Sequence, residues 1–260
     1  MAPSPSPIAP TPVASFEDSY VPFPETFTLA YRTLDSLELE VGEAGADWHQ
    51  VHTATFNTSD TERAEIHIYN APARADGTAV VHGLLQWNDK QYPLLDLLPG
   101  MDLESPDRCV DICILEQPIA GNEEAKILAR IPLMATGPGL FKYLFYDGSE
   151  EKRMYSFDVW GKVQGMDLTR DSVDEMVVVF EGIGNHSPDL FLMRWYEGSL
   201  EISESFLESL SAFQGYLAEL VRLEDGRDVV RVSDRNDETI YADYRMKDAI
   251  MWERVENTLR

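Results

Sequence analysis

Short apolar runs rich in Val, Ile, Tyr and Phe recur along the chain, divided by clusters of Asn, Asp, Gly and Ser. Runs of this length, bounded by turn residues, predict β-strands. The expected strands are 37–41, 52–56, 65–69, 79–87, 110–115, 126–131, 141–146, 154–160, 176–181, 190–196, 199–203, 216–223, 229–233 and 239–244. One segment departs from that beat. Over 204–213, Phe206, Leu207, Leu210 and Phe213 mark one face of a short helix, with Ser203 or Ser205 available as its cap. The last segment, 250–259, fits helix or strand. The chain is therefore expected to be mainly all-β, with one short helix.

The strands fall into modules. Gly100-Met101-Asp102-Leu103 recurs letter for letter as Gly165-Met166-Asp167-Leu168, and each copy leads through a polar turn to an acid and an apolar run. Weaker copies begin at Asn57, where Glu65 keeps the spacing of Asp167 to Glu175, and at Asp225. After each acid-strand unit comes an aromatic with a turn, at Trp87, Tyr146, Tyr196 and Tyr244. Modules of about 45 to 65 residues holding some four strands have the size of propeller blades. Four antiparallel modules are expected, β-propeller-like or as a partial propeller, the alternative being a β-sandwich whose turns match by coincidence.

The segment from Asp167 to Val179 sets acids and hydroxyls at alternate positions and runs straight into a strand. It resembles the signature of FG-GAP/VCBS-type repeat proteins, a D-x-[DN]-x-D-G-x-x-[DE] loop followed by an apolar strand. The resemblance covers this loop well, residues 57–69 and 102–115 fairly, and 225–232 faintly. It implies propeller blades, often secreted or surface-held, and loops that often bind calcium. Carried over by position, Asp167, Thr169, Asp171 and Glu175 would supply the oxygens that a hard cation takes. Ser172 stands where the family has a glycine, and Thr169 replaces a stronger ligand. The other reading of these side chains is that they cap the turn's own amides.

Charge narrows the partners. Forty-six acids against 21 bases leave a formal net charge of −25, a field that repels nucleic acid and anionic lipid. No run approaches the roughly 18 apolar residues of a membrane helix, so no transmembrane segment is expected. Cys109 and Cys113 share one apolar run, about 13 Å apart if it is a strand, too far for a mutual disulfide. Residues 1–26 are crowded with Pro, Ser, Thr and Ala and read as an extended tether, with 27–260 as one β-repeat domain. No basic and apolar leader precedes the tether. The expectation is an extracellular or cell-envelope protein from which a leader has been removed, the alternative being a cytoplasmic one.

Catalytic signatures are missing: there is no G-x-S-x-G elbow, no phosphate-binding glycine loop and no H-E-x-x-H helix. Gly182-Ile183-Gly184-Asn185-His186 follows a strand and reads as a hairpin loop. His49 and His52, three apart on a strand, are expected on opposite faces. Trp48, Trp87, Trp160 and Trp195 fit a core better than a sugar-stacking platform. The leading expectation is a non-catalytic β-repeat protein with a binding or scaffolding role toward a protein or carbohydrate ligand. The alternatives are a carbohydrate-active hydrolase with paired carboxylates and a cytosolic interaction protein.

Overall fold

A computed structural model describes residues 23–58, 62–77, 80–94, 113–119, 121–133, 139–148, 153–211 and 215–255. The chain opens with three short strands, β1 (Thr26–Thr28), β2 (Tyr31–Thr33) and β3 (Leu37–Glu38). Four antiparallel meanders follow in chain order. The first is β4 (His49–Asn57), β5 (Arg63–Ala71), β6 (Val80–Trp87) and β7 (Lys90–Leu94). The second is β8 (Cys113–Ile119), β9 (Asn122–Pro132), β10 (Leu140–Asp147) and β11 (Arg153–Trp160). The third is β12 (Lys162–Met166), β13 (Glu175–Phe180), β14 (Asp189–Tyr196) and β15 (Ser199–Ser203). After the helix α1 (Phe206–Ser209) comes the fourth: β16 (Tyr216–Arg222), β17 (Asp228–Asp234), β18 (Tyr241–Met246) and β19 (Met251–Arg254).

Alternation along the strands explains how these sheets stack. On β10, Leu144 and Tyr146 join a core shared with the first sheet, while Tyr143 and Phe145 join one shared with the third. On β13, Met176 and Val178 face the second sheet and Val177 faces the fourth. Both faces of the middle sheets are thus buried, which is why stretches such as 143–146 and 176–180 run apolar without a break. The end sheets bury one face and alternate. On β5, Ala64, Ile66 and Ile68 point inward between Glu65, His67 and Tyr69. On β17, Arg231 sits between the inward Val230 and Val232. Three cores join the sheets in series, and among the described residues none joins the first sheet to the fourth. Among the described residues the sheets form no closed propeller.

The opening strands lace the stack together. β1 pairs with β19, β2 with β15 and β3 with β11, the last strand of the fourth, third and second sheets in turn. The ribbon then reaches the first sheet, where the amide of Gly42 donates to the carbonyl of Gln91 on β7 (2.8 Å). Side chains hold it in place. Phe27 is buried among Phe206, Tyr244 and Trp252, and the Arg194 guanidinium lies 3.9 Å from the ring centre of Tyr31. Phe23, inside the segment read as a tether, is already buried against Tyr216.

Buried tyrosine hydroxyls find partners at the sheet junctions. Tyr143 donates to the carbonyl of Gly161 (3.0 Å) and accepts from the amide of Val163 (2.9 Å), tying β10 to the start of the third sheet. Burial pushes its pKa up to about 12. The expected helix is shorter than its sequence pattern. It spans Phe206–Ser209, with the Ser205 hydroxyl accepting from the amide of Glu208 (3.0 Å), and Ser211 takes a left-handed φ of 55° just beyond it. Segment 250–254 contributes a strand, β19, whose Trp252 is fully buried in the fourth sheet's core.

Candidate functional site

The loop between β12 and β13 closes directly off the ladder, where Met166 still pairs with Glu175. One oxygen of Asp167 accepts from the amide of Asp171 (3.1 Å) and the other from that of Ser172 (3.0 Å). Asp171 accepts from the amide of Val173 (2.8 Å). Glu175 takes the amide of Leu168 (2.7 Å) on one oxygen and the hydroxyl of Thr169 (3.1 Å) on the other. Burial raises the pKa of Glu175, and the donors from Leu168 and Thr169 hold it back. The four side chains expected to ligate calcium therefore lie in one loop, with the three carboxylates turned to the loop's own donors, the Thr169 hydroxyl among them. Among the described residues no group of three or more His, Cys, Asp or Glu side chains is placed to hold a metal ion. Ser172 has a φ of 70°, so it occupies the left-handed conformation that a glycine adopts without strain.

This loop is one of a series. In each meander a connection joins the first strand to the second: 57–63, 119–122, 166–175 and 222–228. Three of the four polar loops singled out in the sequence occupy this position. The identity of the two GMDL segments does not carry over to their downstream strands. Residues 100–103 lie outside the described residues, and the run after them enters β8, a first strand, whereas the run after 165–168 enters β13, a second strand. The counterpart of the Asp167 loop in the second sheet is instead the tight turn at Gly121.

Between that turn and the Asp167 loop lies a cavity of about 610 Å³, lined by Gln117, Pro118, Ile119, Gly121, Asn122, Ser172, Val173 and Asp174. Two glycines shape it. Gly121 has a φ of 91°, and a Cβ there would come within 2.6 Å of the Trp195 carbonyl oxygen. Gly165 on β12 leaves room for the carboxamide of Gln117, whose Nε2 occupies the place of a side chain, and Asp174 Oδ2 lies 2.9 Å from the same point. Gln117 and Asp174 thus converge over one glycine. Asn122 spends its Oδ1 on the amide of Glu124 (2.9 Å), leaving its Nδ2 as a donor. Val173, at the rim, is 53% exposed. The sequence reading passed over Gln117 and Asn122. Their signal was the turn letters Pro118 and Gly121 at the same place in the module as the Asp167 loop.

The outer face of the first sheet carries His67 and His82. Trp48 stacks on His82 with ring centres 4.3 Å apart, beside Tyr69. Gln50 Nε2 donates to Thr53 Oγ1 (2.8 Å), which lies 3.1 Å from His67 Nδ1, and Glu65 Oε2 lies 3.2 Å from His67 Nε2. A hydroxyl, an imidazole and a carboxylate in series have the composition of a nucleophilic triad. Here they lie side by side on one face of two paired strands, and the Thr53 hydroxyl already accepts from Gln50. His49 and His52 share the opposite face, the side of Ile68, although separate faces were expected for them. The register shifts between Gln50 and His52, so that Val51 is an extra residue, and the two histidines oppose Asn70 and Ile68. Of the tryptophans, Trp87 is core and Trp160 is 40% exposed.

Gly182 and Gly184 lie in a tight turn closed by the Ile183–His186 bridge, as the hairpin reading expected. Cys113 is half-buried and free, while Cys109 lies outside the described residues. No helix among the described residues is long and apolar enough to cross a membrane. No family model matches the chain, and neither a curated protein nor a solved structure matches it.

Proposed function

We propose that the chain is a non-catalytic binding module, a partial propeller of four sheets held outside the cell or at its envelope by the proline-rich segment ahead of Phe23. The observation that supports binding is the cavity at the first-to-second-strand turns of the second and third sheets. Its volume is that of a small-ligand site, and the side chains of Gln117, Ser172 and Asp174 reach it without being engaged by other described residues. Turnover by a glycosidase needs two carboxylates across the scissile bond. Asp174 is the one carboxylate among the described lining residues, so retention of the ligand is proposed over its hydrolysis.

The test is a nuclear magnetic resonance screen of the intact domain against neutral sugars, acetylated peptides and small amines. Amides of Gln117, Ile119, Gly121, Asn122 and 172–174 are expected to shift, with the ligand recovered unchanged. No shift at these amides, or conversion of the ligand that Asp174→Asn abolishes, overturns the reading. Fractionation of the natural producing cell tests the placement, and a purely cytosolic protein removes it.

A further inference from the structure

We infer that the cavity takes a neutral saccharide, an inference that rests on the binding reading above. Its polar groups are of mixed sense. Asp174 only accepts; the carboxamide of Gln117 presents Nε2 beside it, and Asn122 retains a free donor because its oxygen is spent on Glu124. Ser172 both donates and accepts. A ligand matching this set must itself donate and accept at neighbouring positions. An ammonium group only donates and would leave the two carboxamide nitrogens facing further donors. An anion meets Asp174 within the field of a chain carrying −25 charges. Adjacent hydroxyls on one ring satisfy the carboxylate and the carboxamide at once.

The walls agree with that chemistry. Val173 and Pro118 offer apolar surface next to the polar cluster, which suits the C–H face of a pyranose whose rim is hydroxylated. Val173 projects into solvent although it adjoins a cavity, as a side chain that covers a ligand edge would. Gly165 sets the geometry from beneath: any Cβ there displaces the Gln117 carboxamide. It is a positioning residue, and its role can be separated from that of the lining side chains.

Calorimetry and amide shifts of the intact domain are measured with glucose, galactose, mannose, N-acetylglucosamine and their β-linked disaccharides. At least one is expected to bind, and Asp174→Ala and Gln117→Ala are each expected to weaken it about tenfold, the loss of one hydrogen bond to a charged or well-placed group. Gly165→Ala should do the same while circular dichroism shows the fold intact, and Asp174→Asn, which preserves an acceptor in the exposed loop, guards against loss of folding. N-acetyl-lysine amide and an acetylated tripeptide amide are run beside the sugars. Binding of either of these at the cavity in place of any sugar overturns the saccharide inference and leaves the binding reading in place. Silence from every probe overturns both. A sugar that binds and is cleaved supports the inference and ends the non-catalytic reading.

Discussion

Asp167→Ala separates the two roles open to the β12–β13 loop. In the structure the carboxylate accepts two backbone amides, at 3.1 and 3.0 Å. A hydrogen bond to a buried charged group is worth about 1.5–3 kcal/mol, but this carboxylate is half-buried and its donors regain water when it is removed. The loss should be close to that of deleting a helix N-cap, about 1–2 kcal/mol in total. Urea unfolding measures it, once in EDTA and once in millimolar calcium. A loop stapled by its own amides gives the same loss in both. A cation held at a hundredfold excess over its dissociation constant would instead stabilise the intact domain by about 2.7 kcal/mol, and the variant would forfeit that gain. A deficit seen in calcium alone, or one below about 0.5 kcal/mol in EDTA, refutes the staple.

The other predictions address strain, the ribbon and protonation. Ser172→Gly relieves a left-handed φ and should raise stability by about 0.5–1 kcal/mol in the same urea assay; a fall in stability would show that the serine hydroxyl contributes more than its backbone costs. Phe27→Ala removes a buried ring that touches three aromatics and should cost about 3–4 kcal/mol, against less than about 0.5 kcal/mol for the exposed Thr28→Ala; equal losses would mean the ribbon is not seated as described. Asp189 is buried and its pKa is raised, mainly by desolvation, against donors from Ser205, Leu190 and Leu207. Its folded form therefore binds a proton more readily than the unfolded chain, whose value is near 3.8. Stability relative to Asp189→Asn should rise as pH falls from 7 through the raised pKa and level off below the ordinary one. A difference that is flat between pH 7 and pH 4 contradicts this.

Much of the architecture could be read from periodicity. Each of the fourteen expected strands overlaps a strand of the structure, although the expected 37–41 pairs only at Leu37–Glu38 and residues 181, 223 and 239–240 fall outside the ladders. Those missed were β1, β2, β7 and β12, with β19 left open between helix and strand. The first two are three residues long and owe their pairing to β19 and β15, far along the chain, a signal that no local window contains. β7 carries Pro93, which weakens a strand pattern. Unbroken apolar runs at 143–146 and 176–180 mark sheets buried on both faces, while the alternation of 63–71 marks an end sheet. The candidate loop at 167–175 was legible because hydroxyls and acids crowd it. The cavity beside it was not, since it depends on where Gln117 and Asp174 meet over Gly165, and only packing of the second sheet against the third brings them together.

Translation delivers the lacing ribbon first and its final partner last. Phe23 and Arg254 are 231 positions apart, yet the guanidinium of Arg254 donates to the Phe23 carbonyl (2.7 Å). Each meander can collapse as it leaves the ribosome, because its pairings are between neighbours in sequence, but the leading strands have nothing to join until later sheets exist. Nascent chains of every intermediate length therefore carry an unsatisfied edge-binding peptide at their front, free to be claimed by another copy. Both ends of the finished domain are fastened to the same border of the fourth sheet. Cargo fused at the front and at the back would emerge side by side, and joining the two ends while opening the chain at an exposed turn should yield a permuted domain that folds without waiting.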